Sequence, residues 1–222
     1  LQNKMPLEET IMNSYEWYEE NHITLINDDP VEKVDRQSKK IITQKGIELE
    51  YDICIFATGS KAFVLPIEGS NLPSVIGWRT IQDTEQIIDI ASKKKKAIVI
   101  GGGLLGLECA RGLLDQGMDV TVLHLAEWLM EMQLDRKAGD MLRADLEKQG
   151  MKFELQANSK RIIGHEDVEA VELADGRVIE TDLVVMAVGI RPYTEVAKDA
   201  GLDVQRGIVA VSYTHLRAHE TR

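Results

Sequence analysis

Gly101, Gly103 and Gly106 stand at G-x-G-x-x-G spacing inside the stretch KKAIVIGGGLLGLECARGLLDQGMDVTVLHL. Glycines so placed allow a tight turn, let the backbone approach a pyrophosphate, and let a helix pack closely on a strand. The phosphates would sit on the helix N-terminus, where unpaired N–H groups and the positive end of the dipole point. The spacing alone is a weak signal, because glycine-rich loops match it by chance. Its surroundings make it specific. Residues 97–100 predict a strand, 104–116 a helix, and 120–123 a second strand after Gly117 stops the helix, which completes a βαβ unit. A dinucleotide site is therefore expected over a purely structural turn. Where an acidic residue ordinarily ends the second strand and holds the ribose of NAD, this sequence has His124, followed by Leu125 and Ala126. No Arg or Lys follows until Arg136. Two readings of His124 stay open, contact with the adenosine end or a satisfied strand-end histidine, and Glu127 is an alternative partner for the ribose. Both NADH and NADPH are compatible with this pattern.

The elements that position this loop are doubled. Residues 21–60 lie over 151–190 without a gap, at an offset that puts Gly46 on Gly176, Asp52 on Asp182 and Gly59 on Gly189. Each copy reads as a short strand, an antiparallel excursion turning at Lys45-Gly46 or Asp175-Gly176, and an almost wholly apolar strand (YDICIFATG or TDLVVMAVG) that ends in glycine. Continuously apolar strands imply burial on both faces, with the excursion laid over one face as a β-meander. The fold class expected is α/β, with two Rossmann-like dinucleotide-binding units. A glycine loop for the first copy would fall upstream of Leu1, so the chain is expected to be truncated. Ala57-Thr58-Gly59 would then let the backbone approach a cofactor whose main cradle lies elsewhere.

Two such units, one inserted in the other, resemble the flavin-dependent pyridine-nucleotide oxidoreductases, in which ATGS ends part of the FAD domain and GGGLLGLE opens the NAD(P)H domain. Within that superfamily NSYEWYEENHITL, GGGLLGLECARGLLDQGMDVTVLHLAEWLMEMQLD and DLVVMAVGIRP are most similar to the large subunits of assimilatory NAD(P)H nitrite reductases. The resemblance covers residues 1 to about 210 and implies a fold truncated at both ends. It implies NAD(P)H on Gly101, Gly103, Leu105, Gly106 and Gly189, with Glu108 near the nicotinamide end, while His124 departs from the family pattern and keeps both of its readings. It also implies FAD against Thr58, Gly59, Ser60 and Arg79, although Arg79 opening the helix RTIQD could equally be a surface residue. Iron–sulfur clusters and sirohaem are expected only in a downstream part, with a small subunit or redox partner possible. A stand-alone ferredoxin or rubredoxin reductase and a nucleotide-sensing module without turnover are the alternative functions. The domains expected are 1–80 for the FAD side, 81–210 for NAD(P)H, and 211–222 as a non-native, adaptor-like tail. The chain alone is expected to be inactive and to retain FAD weakly.

Composition narrows the classes further. The 222 residues are 44% hydrophobic with a formal charge of −11, which argues against nucleic acid and anionic lipid as partners. The longest apolar stretch, 97–110, holds four glycines and Glu108 and falls short of the roughly 18 residues of a membrane span. With no signal architecture at the start, a cytoplasmic protein is expected. Cys54 and Cys109, without a C-x-x-C pair, are expected to be core residues, and no metal site is expected. Lys93, Lys94, Lys95 and Lys96 are read as solvated cations at a helix C-terminus. Residues 135–150 read as an amphipathic helix with Met141, Leu142 and Leu146 inward; Tyr15, Trp17 and Tyr18 read as packing a first helix on the sheet, with a position near the flavin as the alternative. His215 and His219, four apart in the tail, make at most a weak two-ligand metal pair.

Overall fold

A computed structural model describes residues 6–210. The expected tail at 211–222, with His215 and His219, lies outside the described residues. The described residues divide into two compact units, 62–190 and the flanking 6–61 with 191–210. These limits differ from the boundaries at 80 and 210 read from the sequence.

In the flanking unit a 3-10 turn at Leu7–Thr10 precedes α1 (Tyr15–Glu20), which is capped by the Ser14 hydroxyl accepting the Trp17 N–H. This helix buries none of its side chains. Tyr15 and Trp17 are exposed, contrary to their expected packing, and Trp17 instead meets Tyr18 edge to face with ring centroids 5.2 Å apart. An antiparallel meander follows, formed by β1 (Val31–Asp35), β2 (Lys40–Thr43) and β3 (Glu48–Glu50), with its second turn at Gly46, where φ is +85°. The expected apolar strand at 51–59 is not formed, and neither is the short one at 23–25. A strand exists only where a neighbour takes up its N–H and C=O groups. No described strand flanks these segments, so Ile53 and Ile55 stand 84% and 75% exposed. For the same reason, no sheet among the described residues lies under the first aromatic residues.

β4 (Ser60–Ala62) carries the chain into the inserted unit. There β5 (Val75–Gly77), α2 (Ile81–Ala91), β6 (Lys96–Ile100), α3 (Leu104–Asp115), β7 (Asp119–His124), α4 (Arg136–Lys148) and β8 (Lys152–Leu155) alternate. A second antiparallel meander, β9 (Ser159–Gly164), β10 (Val168–Leu173) and β11 (Val178–Glu180), turns at Gly176 with φ +90° and leads into β12 (Leu183–Met186). The parallel sheet runs β5-β12-β6-β7-β8. The Phe63 N–H donates to the Gly189 carbonyl at 2.9 Å, tying the two ends of this unit. β13 (Ile190–Pro192) returns the chain to the flanking unit, where α5 (Glu195–Asp199) packs beside β1.

Four strands of the parallel sheet, β5, β6, β7 and β12, serve two cores. Ala97, Val99, Val120, Val122, Leu183 and Val185 face α2 and α3, meeting Ile87, Cys109, Ala110 and Leu113. Ile98, Ile100, Leu123, Val184 and Met186 face the second meander, meeting Ile162, Val168, Val171 and Leu173. This alternation explains why the strands read as unbroken apolar runs. Leu142 and Leu146 of α4 pack on the first core, but Met141 is 67% exposed, one position off the buried stripe that Gly139 shares.

Candidate functional site

The glycine loop leaves the end of β6 at the carboxyl edge of the parallel sheet. Gly101 adopts φ +119°, and its N–H donates to the Leu123 carbonyl at 2.8 Å. A Cβ on Gly101 would lie 2.4 Å from the Ala187 oxygen, and one on Gly106 would lie 1.9 Å from the Gly101 oxygen. Both glycines are thus demanded by packing between loop, helix and sheet. Gly103 differs, since a Cβ there would meet nothing within 4 Å. It is the N-cap of α3 and offers no side-chain hydrogen bond to the first turn, which carries no acidic residue. The leading N–H groups of a helix have no intrahelical acceptor, so this end faces open space with donors and a positive dipole end.

The middle glycine of the triplet, Gly102, is also constrained, although sequence reading did not single it out. A Cβ on it would come within 2.8 Å of the His124 ring and of Leu129. Its N–H donates to His124 Nδ1 at 3.0 Å, and its carbonyl accepts from the Met130 N–H at 3.1 Å. On the other side of the ring, Nε2 lies 3.0 Å from both the Trp128 carbonyl and Glu131 Oε2. His124 is 7% exposed, and neither ring nitrogen is left for a ribose. The segment after β7 is pinned further by Trp128 Nε1, which donates to the Leu134 carbonyl.

The remaining expected residues fall around the same edge or in the other unit. Glu127 lies 3.2 Å from Arg136, both exposed. Leu105, in the first turn of α3, shares a cleft of about 240 Å³ with Trp78, Arg79, Thr80, Ile81 and Thr84. The Arg79 N–H donates to Asp83, whose side chain forms a capping box with Thr80 at the start of α2. Glu108 is exposed on α3, and Gly189 has φ +114° with open space where a Cβ would go. In the flanking unit the Thr58 hydroxyl donates to the Tyr193 carbonyl at 2.6 Å, and the Tyr193 N–H returns to the Gly59 carbonyl at 3.0 Å. Gly59 has φ +68°, and Ser60 begins β4. Thr58, Gly59 and Ser60 therefore belong to one unit and Arg79 to the other.

A larger hollow at the opposite edge of the sheet, lined by Lys93, Lys94, Lys95, Lys96 and Asp182, is occupied by internal pairing. Lys93 pairs with Asp89 and Lys96 with Glu180, at 2.7 and 2.8 Å, and Lys94 pairs with Asp167. Among the described residues no group of three or more His, Cys, Asp or Glu could hold a metal ion.

Residues 2–217 match the family described as pyridine nucleotide-disulphide oxidoreductase. The chain belongs to this family. It is an α/β oxidoreductase sequence, and FAD and a nicotinamide dinucleotide are the family's cofactors. Over 213 residues it is 48% identical to the NAD(P)H nitrite reductase of Bacillus subtilis, covering 96% of this chain and 26% of that protein. It is 34% identical to the ferredoxin–NAD(+) reductase subunit of a benzene 1,2-dioxygenase system from Pseudomonas putida, covering 87% of this chain and 47% of that one. A solved ferredoxin reductase from Rhodopseudomonas palustris superposes with a TM-score of 0.84 at 29% identity, covering 89% of this chain and 49% of that one. The chain thus spans about a quarter of the nitrite reductase and about half of the reductases.

The residues present fit the two cofactors unequally. For the dinucleotide the loop offers packed glycines, an uncapped helix start and open space at Gly103. For FAD the described residues supply the open turn at Gly59, held by Thr58 and Tyr193, and the sequence contains no second G-x-G-x-x-G.

Proposed function

We propose that this chain is the electron-input module of an NAD(P)H-dependent nitrite reductase, a larger protein that converts nitrite to ammonia. The observation that carries this reading is the 48% identity to the Bacillus subtilis enzyme across nearly the whole chain. NAD(P)H supplies a hydride to FAD in this chemistry. The work of these residues is to bind and orient. Gly101, Gly103 and Gly106 hold the pyrophosphate on α3, Leu105 and Glu108 flank the nicotinamide end, and Gly189 leaves room for it. Glu127, with no acid at the strand end, takes the ribose hydroxyls. Thr58, Gly59 and Ser60 form the FAD side within the flanking unit. Iron–sulfur clusters and sirohaem belong to other parts of the larger protein, which we place in the cytoplasm.

The 34% identity to a ferredoxin–NAD(+) reductase favours a second reading, a shorter reductase that passes electrons to a separate carrier protein. NADH-dependent formation of ammonia from nitrite by the complete protein supports the first reading. Reduction of a ferredoxin without nitrite turnover supports the second. The 222-residue chain alone is expected to bind NADH, to reduce no nitrite, and to purify with well under one FAD per chain; stoichiometric FAD would overturn that last expectation.

A further inference from the structure

The contacts of His124 determine its tautomer. A backbone amide can only donate and a carbonyl can only accept. Nδ1 faces the Gly102 N–H at 3.0 Å and must therefore be unprotonated. Nε2 faces the Trp128 carbonyl at 3.0 Å and must carry the proton. Two independent partners, on opposite sides of the ring, agree on one neutral form. The same ring closes the space behind Gly102, where a Cβ would be 2.8 Å from Cγ.

We propose that His124 is the positioning residue of the dinucleotide loop, holding Gly102 through its unprotonated Nδ1 and releasing it when Nδ1 takes a proton. A proton there sets two donors head-on at 3.0 Å, and the loop segment must move. Glu131 Oε2, also 3.0 Å from Nε2, stands ready to neutralise the imidazolium, so the buried ring has a counter-charge when protonated. Opposite His124 on β8 is Leu155, the adjacent Glu154 pairs with Arg177, Glu127 pairs with Arg136, and the first turn of α3 has no acidic residue. The consequence for dinucleotide affinity rests on the reading of this loop as the NAD(P)H site, and the hold on Gly102 does not.

The test titrates NADH into the full chain by fluorescence between pH 8 and pH 5.5, for wild type, His124→Asn and His124→Leu. Asn keeps an oxygen acceptor near the Nδ1 position and has no proton to gain. Wild type is expected to lose roughly ten-fold in affinity on acidification, the order of one hydrogen bond. His124→Asn should bind within about three-fold of wild type at pH 8 with a flat profile, and His124→Leu should bind weakly throughout. Nitrogen-15 spectra of wild type without dinucleotide should show the Nε2–H tautomer at pH 8. An Nδ1–H tautomer, or the same pH profile in wild type and His124→Asn, overturns the proposal. Nε2–H in a chain that binds no NADH at any pH upholds the hold on Gly102 and overturns both the dinucleotide reading and the affinity consequence.

Discussion

The carbonyl oxygen of Gly101 lies 1.9 Å from the place a Cβ on Gly106 would occupy. The second residue is thus a glycine because the first one's backbone fills its side-chain space. Gly106→Ala is expected to push α3 off the sheet, lowering the melting temperature and abolishing NADH binding. Gly103→Ala makes the informative contrast, since its φ of −85° suits alanine and nothing lies within 4 Å. That variant should melt like wild type and bind NADH at least ten-fold more weakly, because the methyl enters the phosphate cradle. Equal losses of stability in the two variants would refute the division of labour.

The two cysteines should differ in reactivity. Cys109 is fully buried in α3, and burial pushes its thiol up to about 12. Cys54 is half-buried, with its thiol raised less by the same cause. A colorimetric thiol count at pH 8 should find one reactive group in the native chain and two after unfolding, because only the thiolate attacks. Two fast thiols in the native chain would contradict the packing of α3.

Asp167 should make stability acid-sensitive over a narrow range. Burial acts to raise its carboxyl pKa, but hydrogen bonds from Lys94, Ser74 and the Val168 N–H outweigh it and bring the value from 3.8 down to about 2. A depressed folded-state value contributes stability that is complete above the unfolded value and lost as pH falls through the folded one. Asp167→Asn should therefore unfold at lower urea concentration than wild type at pH 6. The difference should shrink between about pH 4 and pH 2. A gap unchanged down to pH 2 would assign the effect to packing instead.

The exposed side chains at Ile53 and Ile55 should dominate the solution behaviour of this 222-residue chain. They lie in an apolar stretch with unpaired backbone, the kind of segment that joins another chain edge to edge. Replacing both with lysine should raise the concentration at which light scattering first appears and leave NADH binding unchanged. Unchanged scattering would show that association uses another surface.

The inserted unit was legible because its sequence carries its own partners. The apolar strands 97–100 and 120–123, the helix between them and the turn at Gly176 all lie where their patterns put them, within a residue or two. The strand read at 51–59 has the same pattern as 183–186 but lacks neighbours, and periodicity does not report whether a partner strand is present. Met141 failed for a smaller reason, since a one-position error in helical phase moves a side chain by 100°. The strand-end position of His124 was visible from spacing. Its grip on Gly102 was not, because it depends on a side chain 22 positions away meeting the loop in space.

The hydrogen bond from Phe63 to Gly189 has a genetic consequence. It joins the first and last few residues of the inserted unit, while in the flanking unit Gly59 and Tyr193 are joined in the same way. Each unit therefore closes on itself at the seam where the other enters. A deletion of residues 62–190 bridged by a short linker, or the reverse excision, asks neither piece to span a gap. The arrangement is that of a portable cassette, one that recombination can lift out of a gene or drop into it without unravelling either half.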